Sequence, residues 1–321
     1  MNGQRRSPVS PPSSNRARLS MSDADRVVLV LHQHPARLRA RALAVAEAVS
    51  VLGDANAAVE TGGPLAEQSG VAWISVDAHR LPDVEDRIGY LGYVEAVDIV
   101  EPTSANDRQA VGWRKRPWHL RRIHAADHDQ LRRQSPDQRT FVLGSAEKTR
   151  VVRGYRGSSA PLERRGLPVI DARLLANLAA RGRPGSRLLD PFAGAGGIVV
   201  AGEHAGYATY GADVDSEVAV GLRVLTQGRH VVADACRLPF DDAHFDGIAT
   251  ELPFDPSADE VVGCMRVELA RVLRPGGTLA VMCVERQARQ LRDGLPSLRS
   301  HLDHEVDRKG LAVRVLVWER S

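Results

Sequence analysis

The chain has 321 residues, 43% of them hydrophobic, and its 43 Lys and Arg against 40 Asp and Glu leave a formal net charge of +3. That length accommodates two ordinary domains with real cores, and so mild a basic balance identifies no partner by itself. No apolar run reaches the ~18 residues of a membrane span, and the Arg-, Ser- and Pro-rich start has no apolar core of a secretory signal, so a cytoplasmic, non-membrane protein is expected.

Residues 1–24 read as a disordered tail, with Met21 a candidate alternative start. From 25 to 103 the pattern is that of a small α+β unit. RVVLVLH has strand length, and PARLRARALAVAEAVSVLG places apolar residues at helical spacing and stops at Gly53. AAVE and VAWISVDA read as strands, PDVEDRIGYLG as a short helix and YVEAVDIVEP as a closing strand. The β-α-β-β-α-β order predicts a ferredoxin-like unit.

Residues 104–169 change in character and read as a basic linker or RNA-contact segment. WRKRPWHLRRIH, EKTRVVRGYRG and LERRG are rich in Arg and Lys, with Trp113, Trp118 and Tyr155 among them, and TFVLGSAEKTRVVRGYR has the pattern of a hairpin. Cations interleaved with aromatics over 113–156 suit a surface that follows a phosphate backbone and stacks unpaired bases. The same composition also suits a linker whose Arg stems cover apolar surface.

From 170 to 321 helical and strand-length segments alternate, which predicts a mostly parallel, doubly wound sheet of the Rossmann-like kind. DARLLANLAARG is a helix leading into RLLDPFAGAGG, and AVRVLVWER closes the chain as an expected edge strand. In RLLDPFAGAGG a short strand ends at Asp190, Pro191 and Phe192 follow, and glycines including Gly194 and Gly196 open the next helix. Glycines there let the backbone approach a ligand at the carboxyl ends of the strands. ATYGADVDSE then ends a second strand at Asp213, positioned to accept hydrogen bonds from ribose hydroxyls. VVADACRLPF ends a third at Asp234, which suits an adenine amino group, with the apolar Ala235 lining the ring. Three acids at successive strand ends fit S-adenosylmethionine better than a dinucleotide, since that cofactor has no pyrophosphate and carries a positive centre that a carboxylate attracts. Asp215 reads as a helix cap. Cys236, Cys264 and Cys283 have no metal-ligand spacing and are expected as buried thiols in a reducing compartment. No metal site is expected, and the His301–His304 pair, at helical spacing, has no carboxylate partner to define one.

With these motifs the chain resembles the tRNA guanosine-2-N-methyltransferases and related THUMP-associated RNA methylases, a family of class I S-adenosylmethionine-dependent methyltransferases. The resemblance is carried by DPFAGAGGIVVAGEHAGYATYGADVDSE and ADACRLPF and covers about residues 185–285. It implies a Rossmann-like catalytic domain behind a ferredoxin-like unit, with Asp190 through Gly196 around the methionine part of the cofactor, Asp213 on its ribose and Asp234 on its adenine. A full THUMP domain is not recognisable in this chain.

Amino-methylating relatives carry Asp-Pro-Pro-Tyr or a near variant after the fourth strand, the acid and first proline carbonyl receiving the target amine and the aromatic ring stacking on the base. Here FDGIATE runs into Glu251-Leu252-Pro253-Phe254. Phe254 can stack and Pro253 can stiffen the turn, while Glu251 is one methylene longer than Asp and Leu252 replaces proline. Glu251, Pro253 and Phe254 are therefore the expected catalytic positions, with Glu251 a candidate general base. Three readings stay open: an RNA methyltransferase acting on an exocyclic amine of a tRNA guanosine, a small-molecule amine or hydroxyl methyltransferase, and a non-catalytic cofactor-binding subunit associated with RNA.

Overall fold

A computed structural model describes residues 25–60, 70–102, 118–127, 140–144, 149–153, 167–295, 297–308 and 310–321. The expected tail and most of the basic segment lie outside the described residues.

The first unit runs β1 (Arg26–Gln33), α1 (Arg41–Val51), β2 (Ala58–Val59), β3 (Val71–Asp77), α2 (Leu81–Ile88) and β4 (Val94–Pro102). Its strands pair antiparallel in the order β2-β3-β1-β4, the ferredoxin-like arrangement. Alternation in β1 sends Leu29 and Leu31 into the core shared with α1 and Val30 to the opposite face beside Val71 and Trp73. Leu43, Ala44, Glu47, Ala48 and Val51 recur at the spacing of one helix face and are the positions α1 buries. One expectation is corrected here. β5 (Trp118–Ala125) lies in the stretch read as linker but pairs along β4, because Leu120 continues the apolar row of the face opposite the helices. The first sheet therefore has five strands. The hairpin read in the basic segment is present as β6 (Thr140–Gly144) against β7 (Thr149–Arg153).

After α3 (Val169–Ala180), the second sheet is built from β8 (Arg187–Asp190), β9 (Ala208–Asp213), β10 (His230–Val232), β11 (Phe245–Glu251), β12 (Leu273–Cys283), β13 (Leu298–Arg308) and β14 (Leu311–Arg320). The connecting helices are α4 (Gly197–His204), α5 (Ala219–Leu225), α6 (Asp259–Val272) and α7 (Glu285–Asp293). Strand order is β10-β9-β8-β11-β12-β14-β13; the first five are parallel and β14 is antiparallel to both of its neighbours. The last strand is thus not the edge strand expected. Val313, Val315 and Val317 face one core while Leu316 and Trp318 face the other, and a strand buried on both faces belongs inside a sheet. The edge falls to β13, whose alternating SHLDHEVD sequence also makes His301 and His304 strand residues rather than helical neighbours.

α3 positions the two sheets. Every residue from Asp171 to Ala180 is buried, the mark of a helix enclosed on all sides. Its Leu174, Leu175 and Leu178 join Leu43 and Ala48 of the first unit and Leu188, Val313 and Val315 of the second in one core. Its polar side chains are matched in kind. Arg173 donates to Gly89 O at 3.0 Å, and Asn177 donates to Glu47 Oε1 at 2.7 Å while accepting from Tyr207 OH at 3.0 Å. Gly92 sits so close that a Cβ there would lie 2.2 Å from Ile170 O. The Gly92 and Tyr93 N–H groups end on the buried Glu47 carboxylate at 2.7 and 2.9 Å. Burial pushes that carboxyl up to about 7.

Candidate active site

In a doubly wound sheet, ligands bind outside the carboxyl ends of the strands where the order reverses. Here that point is between β8 and β11, so Asp190 and Glu251 end the two strands that flank it. Asp190 is 3% exposed and accepts from Thr250 Oγ1 at 2.9 Å and from Phe192 N at 3.2 Å. Burial is the main cause that raises its carboxyl to about 7, and the charges of Asp213 and Glu251 push the same way. Thr250, buried beside Glu251, was not singled out from the sequence; a hydroxyl inside an apolar strand has no local signature of this role.

Pro191 is buried and Phe192 partly buried against the second core, and the loop they begin is tied to β9 by Ala193 N to Ala212 O at 2.9 Å. Gly194 and Gly196 both have positive φ, +47° and +80°. A Cβ on Gly196 would come 2.6 Å from Leu225 Cδ1, whereas one on Gly194 would find nothing nearer than Phe192 O at 3.9 Å. Gly196 is therefore favoured by its left-handed φ, with Leu225 having to shift for any side chain, while Gly194 leaves open space beside the strand ends. Asp213 closes this loop from the neighbouring strand: Oδ2 accepts from Gly194 N at 2.7 Å and Oδ1 from Asp215 N at 2.8 Å. Burial raises its carboxyl too. Asp215 accepts from Glu217 N and caps the turn before α5. Asp234 lies two residues beyond β10, is exposed, and accepts from Cys236 N at 2.9 Å, with Ala235 buried beside it.

The cysteines correct another expectation. Cys236 and Cys264 are joined in a disulfide between the Asp234 loop and α6; only Cys283 is the buried free thiol expected, its pKa pushed up to about 12 by burial. The sequence separation of 28 between the paired cysteines is why spacing gives no sign of it.

At the acceptor side, Glu251 ends β11 but is no unpaired base: Arg308 Nη1 pairs with its Oε1. The Arg308 Cζ also lies 5.7 Å from the Phe254 ring centroid. Pro253 O accepts from Gln287 Nε2 at 2.8 Å, and Phe254 O from Arg286. Leu252 is buried, with its N–H on Met282 O at 2.9 Å. The turn is thus held by the first residues of α7, and the side chains of Glu251 and Phe254 by one arginine from β13. Among the described residues no group of three or more His, Cys, Asp and Glu could hold a metal, and no helix is long and apolar enough to cross a membrane.

The arrangement suits a cationic nucleoside. Burial and the charges of Asp213 and Glu251 raise the Asp190 carboxyl beside the space over Gly194, and a positive ligand there relieves it. The fold and this site have the form of a class I S-adenosylmethionine-dependent methyltransferase domain. Residues 189–281 match the methyltransferase domain family, which spans β8 through most of β12. The chain is 39% identical over 113 residues to the demethylmenaquinone methyltransferase of Beutenbergia cavernae, a match covering 33% of this chain and 44% of that protein. It therefore spans under half the length of this curated relative. Among solved structures it is similar to TrmN from Thermus thermophilus, at 19% identity over 92% of this chain and 100% of that one with a TM-score of 0.49. It is also similar to the 1,6-didemethyltoxoflavin-N1-methyltransferase of Burkholderia thailandensis, at 19% identity over 47% and 78% of the two chains with a TM-score of 0.38.

When bound, S-adenosylmethionine supplies an electrophilic methyl group on a cationic leaving group. Asp213 would hold its ribose, Asp234 and Ala235 its adenine, and Asp190 through Gly196 its methionine end. The elevated Asp190 pKa gives a pH test. The unfolded carboxyl ionises near ~3.9, so between ~4 and about 7 the folded chain binds the extra proton. Stability contributed by the neutral form is full below ~4 and is lost as pH rises to about 7. A cationic ligand prefers the ionised form, so cofactor affinity should rise about tenfold between pH 6 and 8. Calorimetric titrations of the wild type and Asp190→Asn check this: the variant should lack that rise, and a flat wild-type profile would show that Asp190 does not titrate between pH 6 and 8.

Proposed function

We propose that the chain is an RNA methyltransferase that transfers a methyl group to an exocyclic amine of a tRNA guanosine. The observation that carries the reading is the pairing of this catalytic sheet with a basic segment and a second unit fixed to it through α3. Residues 104–166 hold fifteen Arg and Lys against six Asp and Glu, in a chain whose net charge is only +3. Cofactor chemistry needs no such segment, whereas a polyanionic acceptor is drawn and oriented by it. The acceptor loop supports the same substrate class. Glu251 offers carboxylate oxygens to an N–H, Phe254 offers a ring to a base, and Arg308 neutralises Glu251, which suits a neutral amine better than an ammonium. Positioning of this kind does most of the work in methyl transfer, since the leaving group is already cationic.

A second reading, a small-molecule methyltransferase, is favoured by Leu252 in place of proline and by the sequence match to an enzyme named for demethylmenaquinone. Labelled methyl transfer from S-adenosylmethionine to bulk tRNA separates the two. Label in nuclease-digestible RNA, reduced about 100-fold or more in Glu251→Ala, is the expected result. Cofactor binding with no label in RNA would favour the small-molecule reading. Replacing Arg114, Lys115 and Arg116 by alanine should also flatten the salt dependence of RNA binding, by about 0.7–0.9 in log–log slope per lost phosphate contact.

A further inference from the structure

Arg308 lies at the end of the edge strand β13, far in sequence from the acceptor motif, yet it reaches both of that motif's functional side chains. Nη1 pairs with Glu251 and lies 3.7 Å from Met282 Sδ, the guanidinium lies over the Phe254 ring, and Nε is 3.5 Å from Asp171 Oδ2. The arginine side chain is 15% exposed, that of Glu251 19%, and that of Asp171 fully buried. Asp171 is held from the other side by Arg37, whose Nη2 lies 2.7 Å from Oδ2 and Nε 3.0 Å from Oδ1, and by Tyr93 OH at 2.8 Å. A row of alternating charge therefore runs Arg37, Asp171, Arg308, Glu251, from the ferredoxin-like unit through α3 to the acceptor loop.

A planar guanidinium with a fixed fork of donors orients a carboxylate far more narrowly than an ammonium on a flexible stem. Anchored on Asp171, it can fix the Glu251 carboxylate and the Phe254 ring plane together. We infer that Arg308 is a positioning residue for the methyl acceptor, holding Glu251 and Phe254 in the geometry that receives the substrate, with its own position set by Asp171 and through it by the N-terminal unit. This rests on residues 251–254 being the acceptor loop, and it holds whichever acceptor is used.

The test uses the full chain with Arg308→Gln and Arg308→Lys. At pH 8, with Asp190 ionised, calorimetric affinity for S-adenosylmethionine should stay within about twofold of wild type, because Arg308 contacts Glu251 and Phe254 and not Asp190, Asp213 or Asp234. Hydrogen exchange of the 251–255 backbone should speed up about tenfold in Arg308→Gln, with protection of residues 279–282 in β12 retained. With bulk tRNA as acceptor, kcat should fall about 100-fold while KM changes less than about threefold, and lysine should recover part of the loss. Unchanged exchange and turnover would overturn the inference. So would equal losses of cofactor affinity, β12 protection and turnover, which would make Arg308 a support of the fold alone. If the wild type leaves no label in tRNA, the RNA reading fails, and the exchange of 251–255 against 279–282 decides the role of Arg308.

Discussion

Replacing Asp171 with alanine is expected to lower the unfolding free energy by about 3–5 kcal/mol, the cost of removing one partner from a buried ion pair. The carboxylate is fully buried at the start of α3 and receives Arg37, Tyr93 OH and Arg308 at once. Its loss strands the Arg37 guanidinium, whose side chain is only 9% exposed, along with a buried phenol, and leaves Arg308 with Glu251 alone. A cavity adds little for so small a side chain, so the charge dominates. Urea denaturation followed by circular dichroism measures it, with Asp171→Asn as control: asparagine keeps the shape and some hydrogen bonds and should lose less. A loss under about 1 kcal/mol in the alanine variant would mean that water or another acid takes over the arginines, and the two units would then be joined mainly by the apolar packing of α3. Because the same acid anchors Arg308, the asparagine variant should also slow methyl transfer more than it weakens cofactor binding.

Much of the fold was readable because its signals are local. Alternation in RVVLVLH, the helical spacing of the α1 segment and the strand–glycine–helix run at DPFAGAGG each lie within one element. The readings that failed depended on partners distant in sequence. AVRVLVWER is an apolar strand whether it sits at an edge or inside, and only its pairing with both β12 and β13 decides. WHLRRIHA looked like linker because its charges, Arg121 and Arg122, are prominent; they are answered by Glu101 and Asp98 on the strand beside them. Asp190 and Asp213 end their strands as the sequence pattern predicts, whereas Asp234 lies two residues past the end of β10 rather than at it. Arg308, Asp171 and Thr250 follow from no such pattern, since each acts on a group 57 or more positions away or on a neighbouring strand. Glu251 is legible as a carboxylate at the end of β11, but the arginine paired with it is not, because it comes from β13, 57 positions away.

Asp213→Ala should weaken S-adenosylmethionine binding about 100-fold or more. A carboxylate that accepts hydrogen bonds from ribose hydroxyls contributes through charged bonds, each in the range of ~1.5–3 kcal/mol. The same carboxylate fixes the cofactor loop by accepting from Gly194 N and Asp215 N, so alanine also unties the turn over the open space at Gly194. Calorimetry at pH 8 is the appropriate condition, because burial raises the Asp213 pKa and the comparison should be made with the group ionised. Running the titration with both S-adenosylmethionine and S-adenosylhomocysteine separates the contributions. If hydrogen bonds to the ribose dominate, both ligands lose the same factor, since both carry the same hydroxyls. If attraction to the positive centre dominates, the sulfonium ligand loses more. An equal loss in Asp213→Asn would implicate the charge on the acid rather than its reach, and no loss in either variant would remove Asp213 from the cofactor site.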